Sequence, residues 1–389
     1  MVVAALFAVI FSVSNPTAAF GVFLPVLADT FDWSRGAISV ALSINLLVGG
    51  LASFPIGAIA DRYGPRGILL LTVALAGSGL ALASTLDALW HLYVFIGLMG
   101  GLGGSAFFVV GTTTVTRWFD RNRGLPLAIV LAGFNLSFLT GGPVTAWLIG
   151  ELGWRSAYLV LGASVCLIGL AALVVENPPL RPVVGRSGGV SPVQTHGVSL
   201  RDALADRRLW LITLSLVVAG AVYLMVPVHV VAYARDRGIG LGSASLALTA
   251  YGIGATFGRL VSGPLSDRLG TGAPMAVCVA LQILTLGALP FGLSQEALIV
   301  VLALFGVGCS GSDTVVLRAI PEVFGLKAIG AIMGVMTLGW RAGAAVGPAA
   351  AGFVHDLTGS YVISFASAPV LVAVYYVLFL AGTAPRASR

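Results

Sequence analysis

Residues 250–269 read AYGIGATFGRLVSGPLSDRL, and Arg259 is the oddity in them. Its neighbours are small or apolar, and the next charge is Asp267. A run of this kind is a membrane helix, and a cation at that depth is expensive, so it faces a water-filled cavity or a partner rather than lipid. Residues 335–348, VMTLGWRAGAAVGP, place Arg341 in the same predicament. Two such guanidinium groups with few carboxylates nearby are what a cavity for an anionic solute needs.

The rest of the chain has the same character. Of its 389 residues 58% are hydrophobic and 9% charged, with 51 Gly and a mean hydropathy of +1.01. Ordinary water-soluble domains carry about a quarter charged residues, so this composition excludes them. At roughly 20 apolar residues per span plus short loops, the length holds about twelve spans. The fold class is all-α integral membrane.

Hydropathy places spans near residues 2–28, 37–60, 68–86, 90–116, 125–148 and 155–175, and again near 209–234, 243–265, 272–293, 296–318, 328–353 and 361–382. The first run lacks a basic n-region and is too long for a signal-peptide core, so it reads as a retained span. Three domains follow: a six-helix bundle over 1–176, a polar Pro-, Gly- and Arg-rich linker over 177–207, and a second six-helix bundle over 208–389. A short amphipathic helix is expected at Ser199–Arg207 of the linker.

Of the 21 Lys and Arg residues, 15 fall on the side of the linker and termini and four on the other, leaving only Arg259 and Arg341 inside spans. The positive-inside rule then makes both termini cytoplasmic, and the expected location is a bacterial inner (plasma) membrane. The formal charge of +6 is this loop bias and not a nucleic-acid footprint.

The halves repeat. GAIADRYG from Gly57 matches GPLSDRLG from Gly263, setting Asp61, Arg62 and Gly64 against Asp267, Arg268 and Gly270. Pro143 and Pro348 stand at nearly the same offset. A parallel repeat of two six-helix halves is the architecture of one large transporter class. Cys166, Cys278 and Cys309 lie in apolar segments without CxxC or His-rich spacing, which speaks against disulfides and structural zinc. The Gly-rich stretches GLMGGLGGSAFF and GVGCSGS sit inside spans with no preceding strand and no following Gly-Lys-Ser. They serve close helix packing, and nucleotide binding is not supported. No Ser/His/Asp or metal constellation is present; neither an enzyme nor a cofactor is indicated.

GAIADRYGPRG and its weaker copy GPLSDRLG resemble the signature loops of the major facilitator superfamily, and the resemblance covers nearly the whole chain. DWSRGAIS, TRWFDRNRGLPLAIVLAG, ELGWRSAYLVLG, VVAYARDRGIG and TFGRLVSGPLSDRLG are similar to the monocarboxylate transporters and oxalate–formate antiporters within it. The resemblance implies twelve transmembrane helices in two pseudo-symmetric six-helix bundles, usually working as a monomer. It implies gating or structural roles for Asp61, Arg62, Asp267 and Arg268, and a substrate carboxylate held by Arg259, with Arg341 in the region of the antiporters' second cation. The chain departs from animal monocarboxylate transporters at Ala255, where they carry an acid, and at Asn15–Pro16, where they carry a lysine. A proton relay copied from them is therefore not expected.

Guanidinium suits the task, because its planar fork gives a carboxylate two charge-assisted hydrogen bonds and stays protonated in a dry site. The competing roles are structural: an ion pair with Asp267 for Arg259, and backbone carbonyl partners for Arg341. Trp340, Asn15, Asn135, Tyr223, His229, Phe107 and Phe108 are further cavity candidates; ordinary helix packing is the alternative for each. Asp313 is the one acid that can lie within a span. It is either the partner of Arg318 or a protonatable coupling site.

The leading expectation is secondary active transport of a small carboxylate, most simply a lactate- or pyruvate-like monocarboxylate with a proton, by rocking of the halves. Dicarboxylate–monocarboxylate exchange, favoured by the second cation, stands as the alternative. A drug–proton antiporter fits two buried arginines poorly, and a nutrient sensor would want a soluble extension.

Overall fold

The computed structural model describes residues 1–118, 124–176, 197–325 and 327–384, and those residues are almost wholly helical. Helices satisfy every backbone N–H and C=O within one segment, which is what long apolar runs need away from water. Ten helices are long and apolar enough to cross a membrane. One of them is two spans, because Gly153 (φ 77°, ψ 162°) breaks it. The twelfth, Leu241–Leu269, has a lower hydropathy from Arg259 and its many Gly, Ser and Thr residues. The protein is therefore an integral membrane protein of twelve spans.

In chain order these are α1 (Val2–Phe31), α2 (Arg35–Tyr63), α3 (Pro65–Ala83), α4 (89–118), α5 (124–152) and α6 (154–174) in the first half. The second half holds α7 (Arg207–Arg235), α8 (Leu241–Leu269), α9 (Gly272–Ala288), α10 (Gln295–Phe324), α11 (Ile329–Thr358) and α12 (Val362–Thr383). The short helix expected in the linker is present as Leu200–Ala205, capped by Ser199, whose hydroxyl accepts from the Asp202 N–H. The remainder of the linker, 177–196, lies outside the described residues.

The repeat is visible in the backbone. Gly64 ends α2 at φ 91° and Gly270 ends α8 at φ 73°, a left-handed setting that only glycine adopts cheaply. Pro65 then opens α3, its missing N–H costing nothing at the first turn.

Small residues set the packing within each half. A Cβ on Gly254 or Gly258 of α8 would land on the carbonyls of Ala303 or Val307 in α10. Gly343 and Gly347 of α11 meet Val217 and Ala221 of α7 in the same way. Backbones that approach this closely fix the rotation of each helix, as membrane bundles require where lipid offers no hydrophobic drive. Apolar side chains on α9 and α12, such as Val277, Leu284, Val370 and Val377, are exposed and give the outer surface its lipid-compatible face.

Among the described residues the halves are joined mainly by three helix pairs, α2 with α11, α5 with α8, and α1 with α7. Their close approaches lie toward the end away from the termini. Gly36 meets Gly352 and Phe353, a Cβ on Gly21 would lie 2.6 Å from the Pro227 carbonyl, and one on Gly142 would lie 3.1 Å from the Ser245 carbonyl. Nearer the termini, Gly330 and Gly334 of α11 have open space around them. The two halves meet at the far end and part toward the termini.

Candidate functional site

A central cavity of about 180 Å³ lies between the halves. A single water needs about 10–15 Å³ of such space, so a small organic ion with some water fits. The α8–α10 glycine contacts bring Arg259 and Asp313 into it from adjacent helices. Arg259 is the charged group that acts on Asp313, although no ion pair joins them within 4.0 Å. Asp267 is not the partner of Arg259: it accepts from Arg318 Nη1 at 2.7 Å, and Arg318 also donates to Glu322 at 3.2 Å. Asp313 is thereby left without Arg318.

Arg341 reaches the cavity from α11 and crosses to the other half. A Cβ on Gly49 of α2 would lie 3.1 Å from its Nη1, and one on Gly50 would lie 3.1 Å from its Cδ. Those two glycines make the room in which the guanidinium rests. Among the described residues Arg341 has neither an ion-pair nor a hydrogen-bond partner, so the backbone-carbonyl alternative is not seen. Trp340 beside it lines the cavity, and its carbonyl lies against Gly220 of α7.

The remaining expected residues divide. Tyr223 lines the cavity, and its hydroxyl pairs at 2.6 Å with Ser312, which also accepts from Gln282 at 3.1 Å. Asn15 lies between the lining residues Ser14 and Pro16. Its Oδ1 is turned toward Gly141 of α5 without a hydrogen-bond partner. His229 is fully buried away from the cavity; its Nε2 donates to the Pro348 carbonyl at 2.7 Å and its Nδ1 accepts from Tyr361 at 3.0 Å. Arg62 lies 5.3 Å from the Tyr63 ring, and Arg268 is exposed. The side chains of Asp61, Phe107, Phe108 and Asn135 lie outside the described residues.

Two groups went unnoticed in the sequence. Asn45 of α2 lines the cavity and donates to the Ile96 carbonyl at 2.8 Å, leaving its Oδ1 open. It is a lone amide in mid-span like Asn15 and Asn135, and that signal would have found it. The second is a polar lock at the far end. Arg35 donates both terminal nitrogens to Asp236 at 2.6 Å and one of them to Tyr361 at 3.2 Å. The backbone N–H groups of Arg35 and Gly36 donate to Asp356 at 2.9 and 2.8 Å, and Arg235 pairs with Asp29 at 2.8 Å. Burial pushes the Tyr361 hydroxyl up, so it keeps the proton it gives to His229. Each of these residues sits at a helix end or in a loop, where a charge carries no signal.

The profile of the family described as Major Facilitator Superfamily matches residues 5–291 and 224–389. The monocarboxylate transporter 13 of Bos taurus is 30% identical over 357 residues, covering 89% of this chain and 80% of that protein. An uncharacterized MFS-type transporter of Bacillus subtilis (strain 168), YcxA, is 26% identical over 374 residues, covering 93% and 89%. Among solved structures, a point mutant of the nucleoside transporter NupG superimposes with a TM-score of 0.76 at 12% identity, covering 98% of this chain and 99% of that one. A bacterial homolog of the human lysosomal transporter Spinster, inward-facing and unoccupied, gives 0.73 at 15% identity, covering 98% and 92%.

Proposed function

The chain belongs to the Major Facilitator Superfamily and is a membrane transporter rather than an enzyme, and from that premise we propose that it carries small carboxylate anions by alternating access. The observation that supports this is Arg341, a guanidinium between the halves with no protein partner among the described residues. An unpaired cation in a confined cavity has a strong free-energy demand for an anion, and a carboxylate meets it with two charge-assisted hydrogen bonds. Because Arg341 rises from one half and rests on Gly49 and Gly50 of the other, an anion bound to it reports to both.

A monocarboxylate, lactate- or pyruvate-like at its simplest, suits the charge balance. With Asp313 ionised, Arg259, Arg341 and Asp313 sum to one positive charge, which one anion neutralises. Asp313 is the candidate for proton coupling. A proton delivered there would remove the negative charge that competes with the substrate for Arg259, and its departure would restore that charge. Exchange of a dicarboxylate for a monocarboxylate is the second reading, favoured by that same neutralisation, since both arginines are then available to a diacid.

The test is ligand-dependent thermal stabilisation of the purified protein by lactate, pyruvate, formate, oxalate and malonate, with Arg259→Lys and Arg341→Lys alongside. A ligand at a hundred times its Kd adds about 2.7 kcal/mol of apparent stability. Stabilisation by lactate or pyruvate that Arg341→Lys removes is expected. Oxalate or malonate stabilisation lost in both variants points to exchange, and no response to any acid overturns the carboxylate reading. In liposomes, Asp313→Asn should abolish substrate-driven proton flux while leaving anion exchange. Unchanged proton flux removes Asp313 from coupling.

A further inference from the structure

Among the described lining residues every formal charge in the cavity comes from the second half. At the far-end lock the first half contributes one as well, and a histidine stands inside that lock. His355 lies on the last turn of α11, its side chain only 15% exposed. Its Nε2 is 3.5 Å from Oδ2 of Asp236, the same oxygen that takes Nη1 of Arg35 at 2.6 Å. Its Nδ1 is 3.9 Å from Oδ1 of Asp356, which accepts the Arg35 backbone N–H at 2.9 Å. That nitrogen is buried and has no hydrogen-bond partner among the described residues. The Tyr361 ring lies against the imidazole, with centroids 4.4 Å apart. It brings no charge, because its hydroxyl keeps its proton and gives it to the fully buried His229.

His355, Asp236 and Asp356 belong to the second half; Arg35 and the opening turn of α2 belong to the first. With the halves together, the Arg35 guanidinium and the N–H groups of Arg35 and Gly36 already satisfy both carboxylates. A proton on His355 then sets a second cation beside Arg35, at the same oxygen. With the halves parted, both carboxylates lose those donors, and an imidazolium between them replaces what has left. The parted form therefore holds the proton more tightly, and by reciprocity the proton favours parting.

We propose that His355 is a proton-sensitive latch: protonation draws Asp236 from Arg35 of the first half to His355 of its own half, so that acid opens the cavity at the far end and alkali keeps it shut. An ordinary imidazole titrates near pH 6.5, which places the response in the physiological range. The latch acts on the resting balance of the two halves and requires neither Asp313 nor a substrate, so it stands apart from the carboxylate reading above.

The experiment measures, by electron spin resonance, distances between spin labels at Thr85→Cys and Thr358→Cys. Both positions are exposed at the far end, one in each half. The full chain is used, cysteine-free elsewhere and without substrate. Between about pH 8 and about pH 5, the ratio of long to short distances should rise by about tenfold, the change that one unit of difference in proton affinity between the two forms produces. His355→Gln, neutral throughout, should keep the alkaline distribution in acid. His355→Lys, charged throughout, should show the acid distribution already in alkali. Each variant is accepted only if it keeps a cooperative thermal transition, and Asp313→Asn should respond as the parent does. A response that persists in His355→Gln, vanishes in Asp313→Asn, runs toward shorter distances in acid or is absent from the parent would overturn the inference. None of these outcomes bears on whether a carboxylate binds Arg341.

Discussion

Arg35 at the start of α2 and Asp236 at the end of α7 are joined by two parallel hydrogen bonds of 2.6 Å, so a residue of each half holds the far end shut. The fork-to-carboxylate geometry is the strongest form of this pairing. For the cavity to open on that side, the pair must part.

Breaking it should therefore shift the resting population toward opening at the far end. In a cysteine-free background carrying Leu224→Cys, the added change Asp236→Asn should raise labelling by a membrane-impermeant thiol reagent applied from that side. A part-buried pair of this kind contributes on the order of 1–3 kcal/mol, so a rise of several-fold or more is expected. Unchanged labelling would show that the lock does not limit opening.

Gly49→Val should impair substrate binding without a change at any polar residue. Its Cβ would stand 3.1 Å from Nη1 of Arg341 and 3.0 Å from the Gly101 carbonyl, and the guanidinium is the part free to move. Gly104→Ala, also on the cavity wall but with nothing within 4 Å of its Cβ, is the matched control. Titration of each variant with the best carboxylate should show weakening of about tenfold or more for Gly49→Val, for a displacement costing roughly 1.4 kcal/mol, and little for the control. Equal affinities would mean that Arg341 keeps its place or does not bind the anion.

Gly254→Leu should destabilise the second half severely, because the new side chain would meet the backbone of Ala303. Overpacking typically costs about 1–3 kcal/mol and more against rigid backbone. Gly287→Ala, with open space at its Cβ, should be nearly neutral. Apparent melting temperatures of the two variants decide the matter, and similar values would mean that α8 and α10 can separate at little cost.

Asp267→Asn should leave thermal stability almost unchanged. Its partner Arg318 keeps Glu322, and the Asp267 side chain is 76% exposed, so the pair contributes less than about 1 kcal/mol. A drop in transport rate at unchanged melting temperature would mark this residue as conformational rather than stabilising. An equal drop in both would mark it as structural.

Much of the fold was legible because membrane helices announce themselves by length and hydropathy, and because the two signature loops repeat. The eighth span is the instructive case: hydropathy places it at 243–265 despite Arg259, and the helix runs over Leu241–Leu269. Arg259, Arg341 and Asp313 were legible as charges inside apolar runs. The lock was not, for Arg35 lies 201 positions from Asp236 and 321 from Asp356, and nothing local records those pairings. Which apolar residues line the cavity was hidden for a different reason: a Phe or Leu facing a cavity has the same hydropathy as one facing lipid. Asn15 shows the reverse, conspicuous in the sequence yet turned toward Gly141.

That every formal charge among the described lining residues belongs to the second half has an electrical consequence. A membrane potential acts on charge at about 2.3 kcal/mol per elementary charge across 100 mV. On the proposed alternating access, the field would do its work on Arg259, Asp313 and Arg341 of α8, α10 and α11, while the lining of the first half would move through it without formal charge. The voltage lever of such a carrier would be one-sided, and the monovalent anion proposed as substrate would disengage it.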